Sequence, residues 1–144
     1  MPMVDVSDKN VTLRTAQAQA VVFLGADIIE KIKSNQVPKG NVLEVSRIAG
    51  IQAAKKTPDI LPMCHNIELS NVNLEFNVEA EKITITSIVK ASAKTGVEME
   101  ALASVSVAAL NIYDMCKMFS KSITISDVEL LKKTGGKSGD YLKR

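Results

Sequence analysis

At 144 residues and 15.5 kDa, the chain has the size of one domain able to bury its own core. Its 18 basic and 16 acidic side chains leave a charge of +2 with no basic arm, too balanced for a binder of nucleic-acid backbone, and 3% aromatic residues offer little surface for stacking bases. No leader-type segment or membrane-length apolar run is present, so a cytoplasmic protein without a membrane partner is expected, with Cys64 and Cys116 as reduced thiols.

Residues 1–10 are polar and are expected to be loosely ordered, as undocked termini are. The stretch 11–23 favours an extended segment, with Val11, Leu13 and Thr15 opening an alternation. Residues 25–34 read as a short helix with Ile28, Ile29 and Ile32 on one stripe, ended by the Pro38 and Gly40 region. Asn41 is placed to cap a second helix over 42–56, with Glu44 completing a capping-box pattern and Val45, Ile48, Ala49 and Gln52 along one side. Thr57-Pro58 closes that helix, and Pro58 and Pro62 bracket a defined loop leading to Cys64 and His65.

Two long strands are predicted over 67–80 and 82–93, joined by a tight turn at Glu81 and Lys82. Residues 98–120 then form the longest helix, apolar around nearly its whole circumference. Ala101, Leu102, Val105, Ala108, Ala109, Ile112 and Cys116 cover one broad side, and Ala103, Val107, Leu110 and Met118 much of the rest. Such a helix has to be buried against more than one layer, either a sheet plus another helix or a sheet plus a second subunit, and oligomerisation is the economical explanation. A last strand over 122–131 and a flexible, cationic tail over 132–144 complete a single α+β domain, an antiparallel sheet with helices on one face.

Chemistry concentrates in three places. His65 is the only histidine and follows Met63 and Cys64, so general acid–base use or ligand hydrogen bonding competes with a structural bond to a backbone carbonyl. No ordinary zinc spacing accompanies it, and Cys-His adjacency alone does not make a thiol catalyst. Asp114 and Lys117 share a helix face three positions apart, which fits either a structural ion pair at a helix end or a coupled acid and base. Glu98 and Glu100 open the same helix, as capping charges or as ligand contacts. Glu100 and Asp114 are 14 positions apart, about 20 Å of helix, so one small ligand reaches both only if a second subunit contributes.

The tail has Gly136-Lys137-Ser138 but lacks the earlier glycine of a Walker loop, which leaves a weaker reading: exposed backbone donors with Lys132, Lys133 and Lys137 as a phosphate clamp. Arg14, Lys39 and Arg47 are further cations that would suit a phosphorylated small molecule if they converge.

Six segments taken in order resemble the molybdenum cofactor biosynthesis protein C family, the cyclic pyranopterin monophosphate synthases. They run from Met3 to Ser7, Arg47 to Lys55, Pro62 to His65, Lys94 to Leu102, Ile112 to Lys117 and Lys133 to Gly139. The resemblance implies a ferredoxin-like fold assembled as a hexamer, a trimer of dimers with sites at subunit interfaces. It also implies conversion of 3′,8-cyclo-7,8-dihydroguanosine 5′-triphosphate to cyclic pyranopterin monophosphate, with pyrophosphate released. By the same resemblance Asp114 and Lys117 are catalytic, and Met63, Cys64, His65, Glu98, Met99, Glu100, Lys39 and Lys133 bind substrate, with Arg14 and Arg47 as phosphate contacts. No resident metal or redox cofactor is implied, although magnesium could accompany the triphosphate. Two positions depart from the family pattern: Asn41 replaces its aspartate after Lys39-Gly40, and Asn66 replaces its proline after His65. The alternative is a noncatalytic phosphate- or nucleotide-binding oligomeric module.

Overall fold

Alanine sets the geometry of the central strand. In the computed structural model, which describes residues 1–144, β1 (Thr12–Phe23) buries Arg14, Ala16, Ala18, Ala20 and Val22 on one face. The alternation read from the sequence is therefore present in the opposite phase, with Val11 and Leu13 61% and 64% exposed. Alanine carries little hydrophobic signal, yet its small side chain lets a helix approach the sheet closely.

That helix is α4 (Glu98–Cys116), which packs on β1, on β3 (Lys82–Ala93) and on β4 (Thr124–Thr134). Ser87, fully buried on β3, donates its hydroxyl to the Ala101 carbonyl at 2.8 Å and ties the first turn of α4 to the sheet. On its other side α4 meets α2 (Val42–Lys55). The sheet and α2 together account for the all-round apolar helix within one chain, leaving Leu110 58% exposed.

The face of α2 that meets α4 is not the one read from its larger side chains. Val42, Ser46, Gly50, Ala53 and Ala54 are buried, whereas Val45 and Ile48 are exposed. Small residues make this contact because a close helix crossing selects for lack of bulk, which a hydrophobic stripe does not record. The predicted cap is present: Asn41 Oδ1 accepts from the Glu44 amide at 3.1 Å, a contact worth about 1 kcal/mol.

The sheet has five strands in the order β2-β3-β1-β4-β5, all neighbours antiparallel, where β2 is Asn71–Val78 and β5 is Tyr141–Leu142. With α1 (Ala26–Lys33) and α2 after β1, and α4 between β3 and β4, this is the ferredoxin-like α+β arrangement with its helices on one face. Several boundaries differ from expectation. β2 begins at Asn71 rather than 67, and α4 stops at Cys116 rather than 120, where the Phe119 amide bonds to the Cys116 carbonyl in a turn. β4 runs on to Thr134, so Lys132 and Lys133 are strand residues. Residues 57–60, expected as loop, form the short helix α3 (Thr57–Ile60), with Pro58 in its first turn where a missing N–H costs nothing. No helix is long and apolar enough to cross a membrane.

Candidate functional site

Both ends of α4 carry the charged residues singled out from the sequence, and each end gathers a different set. At its carboxyl end, Asp114 lies between two lysines. Lys117, one turn on, approaches Oδ1 at 3.1 Å, and Lys39, from the turn before α2, approaches Oδ2 at 3.1 Å while donating to the Asp114 carbonyl at 3.0 Å. Gly40, at φ +116°, lets the chain turn sharply beside Lys39 before Asn41 starts α2. The hydrogen bond from Lys117, then that from Lys39, holds the Asp114 carboxyl below the usual carboxylate range. All three side chains remain solvent-accessible, and the two ammonium groups keep spare donors. The pairing expected between Asp114 and Lys117 is present, and it sits at an emerging helix end.

At the amino end, a cavity of about 280 Å³ is bounded by Met63, Cys64, His65, Glu98, Met99 and Glu100, together with Lys9, Val4 and Val6 from the amino-terminal segment. Glu100 is 3% exposed, and burial pushes its carboxyl up, with the charge of Glu98 adding to the effect. Burial, and then Glu100, pushes the Cys64 thiol up as well, which disfavours the thiolate. Glu98 turns outward to Lys133, whose ammonium lies 3.5 Å away at the end of β4. His65 is half-buried, and its Nε2 lies 2.7 Å from the Val4 carbonyl oxygen. The arrangement combines a carboxyl disposed to hold a proton, an imidazole and a neutral thiol around a partly apolar space, suited to a heterocycle.

The remaining cations divide. Arg14 is 7% exposed and donates Nε to the Ala93 carbonyl at 3.0 Å and Nη2 to the Lys94 carbonyl at 3.2 Å, pinning the turn that leads into α4. It also borders a polar cavity of about 510 Å³ with Lys9, Thr12, Gly136 and Lys137. Arg47, on α2, stacks on Phe76 at 5.2 Å and bonds to the Leu74 carbonyl. Around the amino-end cavity the sequence reading named Met63, Cys64, His65, Glu98, Met99 and Glu100; it gave no site role to Ile67, Thr95 or Gly96, nor to Val4, Val6 or Lys9 from the amino-terminal segment. The signal was present in the Met3 to Ser7 segment of the resemblance, although nothing local marks a terminal polar stretch as a cavity wall. No group of three or more His, Cys, Asp or Glu side chains is arranged to hold a metal ion.

Comparison with known proteins shows the family. The sequence model of the MoaC family matches residues 3–136, a span that takes in Lys39, the Met63 to His65 loop, the whole of α4 and Lys133. A protein of Peptoclostridium acidaminophilum named cyclic pyranopterin monophosphate synthase is 53% identical over 139 residues, covering 96% of this chain and 88% of the relative. Relatives of the same name from Desulfitobacterium hafniense and Streptomyces coelicolor are 51% identical over 142 residues and 48% over 141; each alignment covers 98% of this chain, and 87% and 83% of the respective relatives. With likeness of that degree over nearly its whole length, the chain belongs to the MoaC family.

Proposed function

We propose that this chain is a cyclic pyranopterin monophosphate synthase of molybdenum cofactor biosynthesis. In this reading it converts 3′,8-cyclo-7,8-dihydroguanosine 5′-triphosphate to cyclic pyranopterin monophosphate and pyrophosphate. The observation that carries the chemical part is the Asp114 carboxylate gripped by Lys39 and Lys117, inside a chain that matches the family from residue 3 to residue 136.

Purine-ring opening and pterin closure need protons removed and returned at several atoms, which an ionised carboxylate beside two ammonium groups supports. Asp114 accepts and Lys117 donates, while Lys39 compensates the charge on Asp114. The cavity at the amino end of α4 receives the heterocycle, with Glu100, whose carboxyl is disposed by burial to hold a proton, and with His65 and Glu98 as hydrogen-bonding partners. Lys133, Arg14 and Arg47 are assigned to the phosphates. Attack of a ribose hydroxyl on the phosphorus nearest the sugar then forms the cyclic phosphate as the bond to the departing pyrophosphate breaks. Glu100 and Asp114 are about 20 Å apart along α4, so a complete site takes one end of the helix from each of two subunits. A hexamer built as a trimer of dimers satisfies that requirement.

The test supplies the cyclic guanosine triphosphate intermediate to the purified protein and to Asp114→Asn and Lys117→Ala variants, following pterin product and pyrophosphate. Product from the native chain and loss of about 10²-fold or more in both variants is expected. Normal turnover in both variants, with assembly preserved, would overturn the catalytic assignment.

A further inference from the structure

The single imidazole of this chain is held from outside the core. His65 Nε2 lies 2.7 Å from the carbonyl oxygen of Val4, 61 positions earlier in the sequence. A carbonyl oxygen can only accept, so this nitrogen must be the one bearing hydrogen, and in the neutral ring Nδ1 then carries the lone pair.

The segment that supplies the carbonyl has its own local order. Asp5 Oδ1 accepts from the amide and the hydroxyl of Ser7 at 2.9 and 2.6 Å, and the Lys9 amide bonds to the Val6 carbonyl at 3.0 Å. Lys94, just past the end of β3, reaches the Ser7 carbonyl at 3.4 Å. Val4, Val6 and Lys9 form one wall of the cavity whose other wall carries Cys64, His65 and Glu100. None of the strap residues belongs to the buried core, and Val4 is 69% exposed. The strap adds no residue to the buried core and meets the domain through His65 and Lys94.

We propose that residues 3–9 are a positioning strap: the Val4 carbonyl selects the Nε2–H tautomer of His65 and presents Nδ1 as the hydrogen-bond acceptor for the substrate. This rests on the synthase reading for the identity of the substrate, but not for the tautomer. Val4 acts through His65 and is a positioning residue. Its effect is to fix which ring nitrogen can receive a proton or a hydrogen bond, without changing the ring itself.

Because His65 is the only histidine, ¹⁵N-labelled protein gives one imidazole spin system, which reads the tautomer directly. The native full-length chain is expected to show the Nε2–H form alone, with an Nε2 proton protected from solvent exchange. In full-length Val4→Gly/Val6→Gly, which unseats the strap, and in Lys94→Ala, which releases Ser7, that proton exchanges rapidly and both tautomers appear. Turnover in the double variant falls roughly tenfold to a hundredfold while the melting temperature is held. His65→Gln, whose amide keeps a donor toward Val4 but offers no ring nitrogen, falls as far. An Nδ1–H tautomer in the native chain, an unchanged imidazole signature in both strap variants, or full turnover in His65→Gln would each overturn the proposal. If the native chain makes no pterin product, the synthase reading fails while the tautomer measurement still decides the strap.

Discussion

Lys39 touches Asp114 twice, 3.1 Å from its carboxylate and 3.0 Å from its carbonyl oxygen, across a sequence separation of 75 residues. Lys117 occupies the other carboxylate oxygen, so the first prediction concerns titration. Removing either lysine raises the Asp114 pKa toward the ordinary carboxylate range, which a ¹³C-carboxyl NMR titration detects. The sign follows from linkage. The folded value lies below the unfolded one, so any stability from the ionised cluster is present above the ordinary carboxylate range and is lost as pH falls through the lowered value. Solvent screening keeps that stability small, and the larger effect is on turnover, with Lys39→Ala losing about tenfold. An Asp114 titration unmoved by both alanine variants would remove the lysines as the cause.

Glu100 shows the opposite behaviour. Burial raises its folded pKa above the unfolded value, so its contribution to stability is fully present below the ordinary carboxylate range and is lost as pH rises through the folded value. Glu100→Gln therefore melts higher than the native protein at neutral pH. The gap closes as the buffer is taken below the ordinary carboxylate range. Turnover moves the other way, falling about 10²-fold, because the amide fills the space without delivering a proton. A variant that melts at the native temperature across the whole pH range would contradict a carboxyl strained by burial.

The thiols give a third prediction. Burial raises Cys116 to about 11, and Cys64 is pushed up by burial and by Glu100, so neither is a nucleophilic thiolate at neutral pH. Iodoacetamide at pH 8 should label Cys64 more slowly than a small free thiol, leave Cys116 untouched, and react faster with Cys64 in Glu100→Gln. Rapid labelling of native Cys64 at pH 7 would reopen a thiolate role.

How much of this was legible depends on side-chain size and on reach along the chain. Ile28, Ile29 and Ile32 announced α1, and Ile83 and Ile85 announced β3, because large aliphatic residues at a fixed period mark a buried face. The alanine face of β1 and the Ser46–Gly50–Ala53 face of α2 were read in the wrong phase, since close packing there rewards absence of bulk. At the site, Asp114 and Lys117 could be paired from helix spacing alone. Lys39 joining them, Lys133 meeting Glu98 and Val4 reaching His65 are contacts between distant segments, which no local pattern encodes. For the lysines the family resemblance supplied the residues; for Val4 it supplied only the segment.

Gly50 offers a direct test of the close crossing between α2 and α4. A Cβ there would lie 2.5 Å from Leu74 Cδ2 and 3.1 Å from the Ser104 carbonyl oxygen, in a layer where Leu74 is 1% exposed. Gly50→Ala should lower stability by about 1–3 kcal/mol despite its better helix propensity, because overpacking outweighs the propensity gain. Leu74→Val shortens that side chain by one carbon, drawing both methyls back toward the strand, and should couple favourably with Gly50→Ala in a double-mutant cycle measured by urea unfolding. A stabilised Gly50→Ala chain would mean that α2 shifts freely on the sheet.

Subunit complementation addresses the separation of Glu100 and Asp114. A site that takes the amino end of α4 from one chain and the carboxyl end from another should be repaired by mixing two inactive variants. In oligomers co-assembled from equal amounts of Glu100→Ala and Asp114→Asn chains, a site is intact when its first chain keeps Glu100 and its second keeps Asp114. Random mixing satisfies both conditions at about one site in four, so turnover should recover to about a quarter of the native level. Mass spectrometry of the intact assemblies verifies the mixing. Confirmed mixed oligomers with no more turnover than either parent would place Glu100 and Asp114 in sites that do not share substrate, and would confine the proton chemistry to one end of α4.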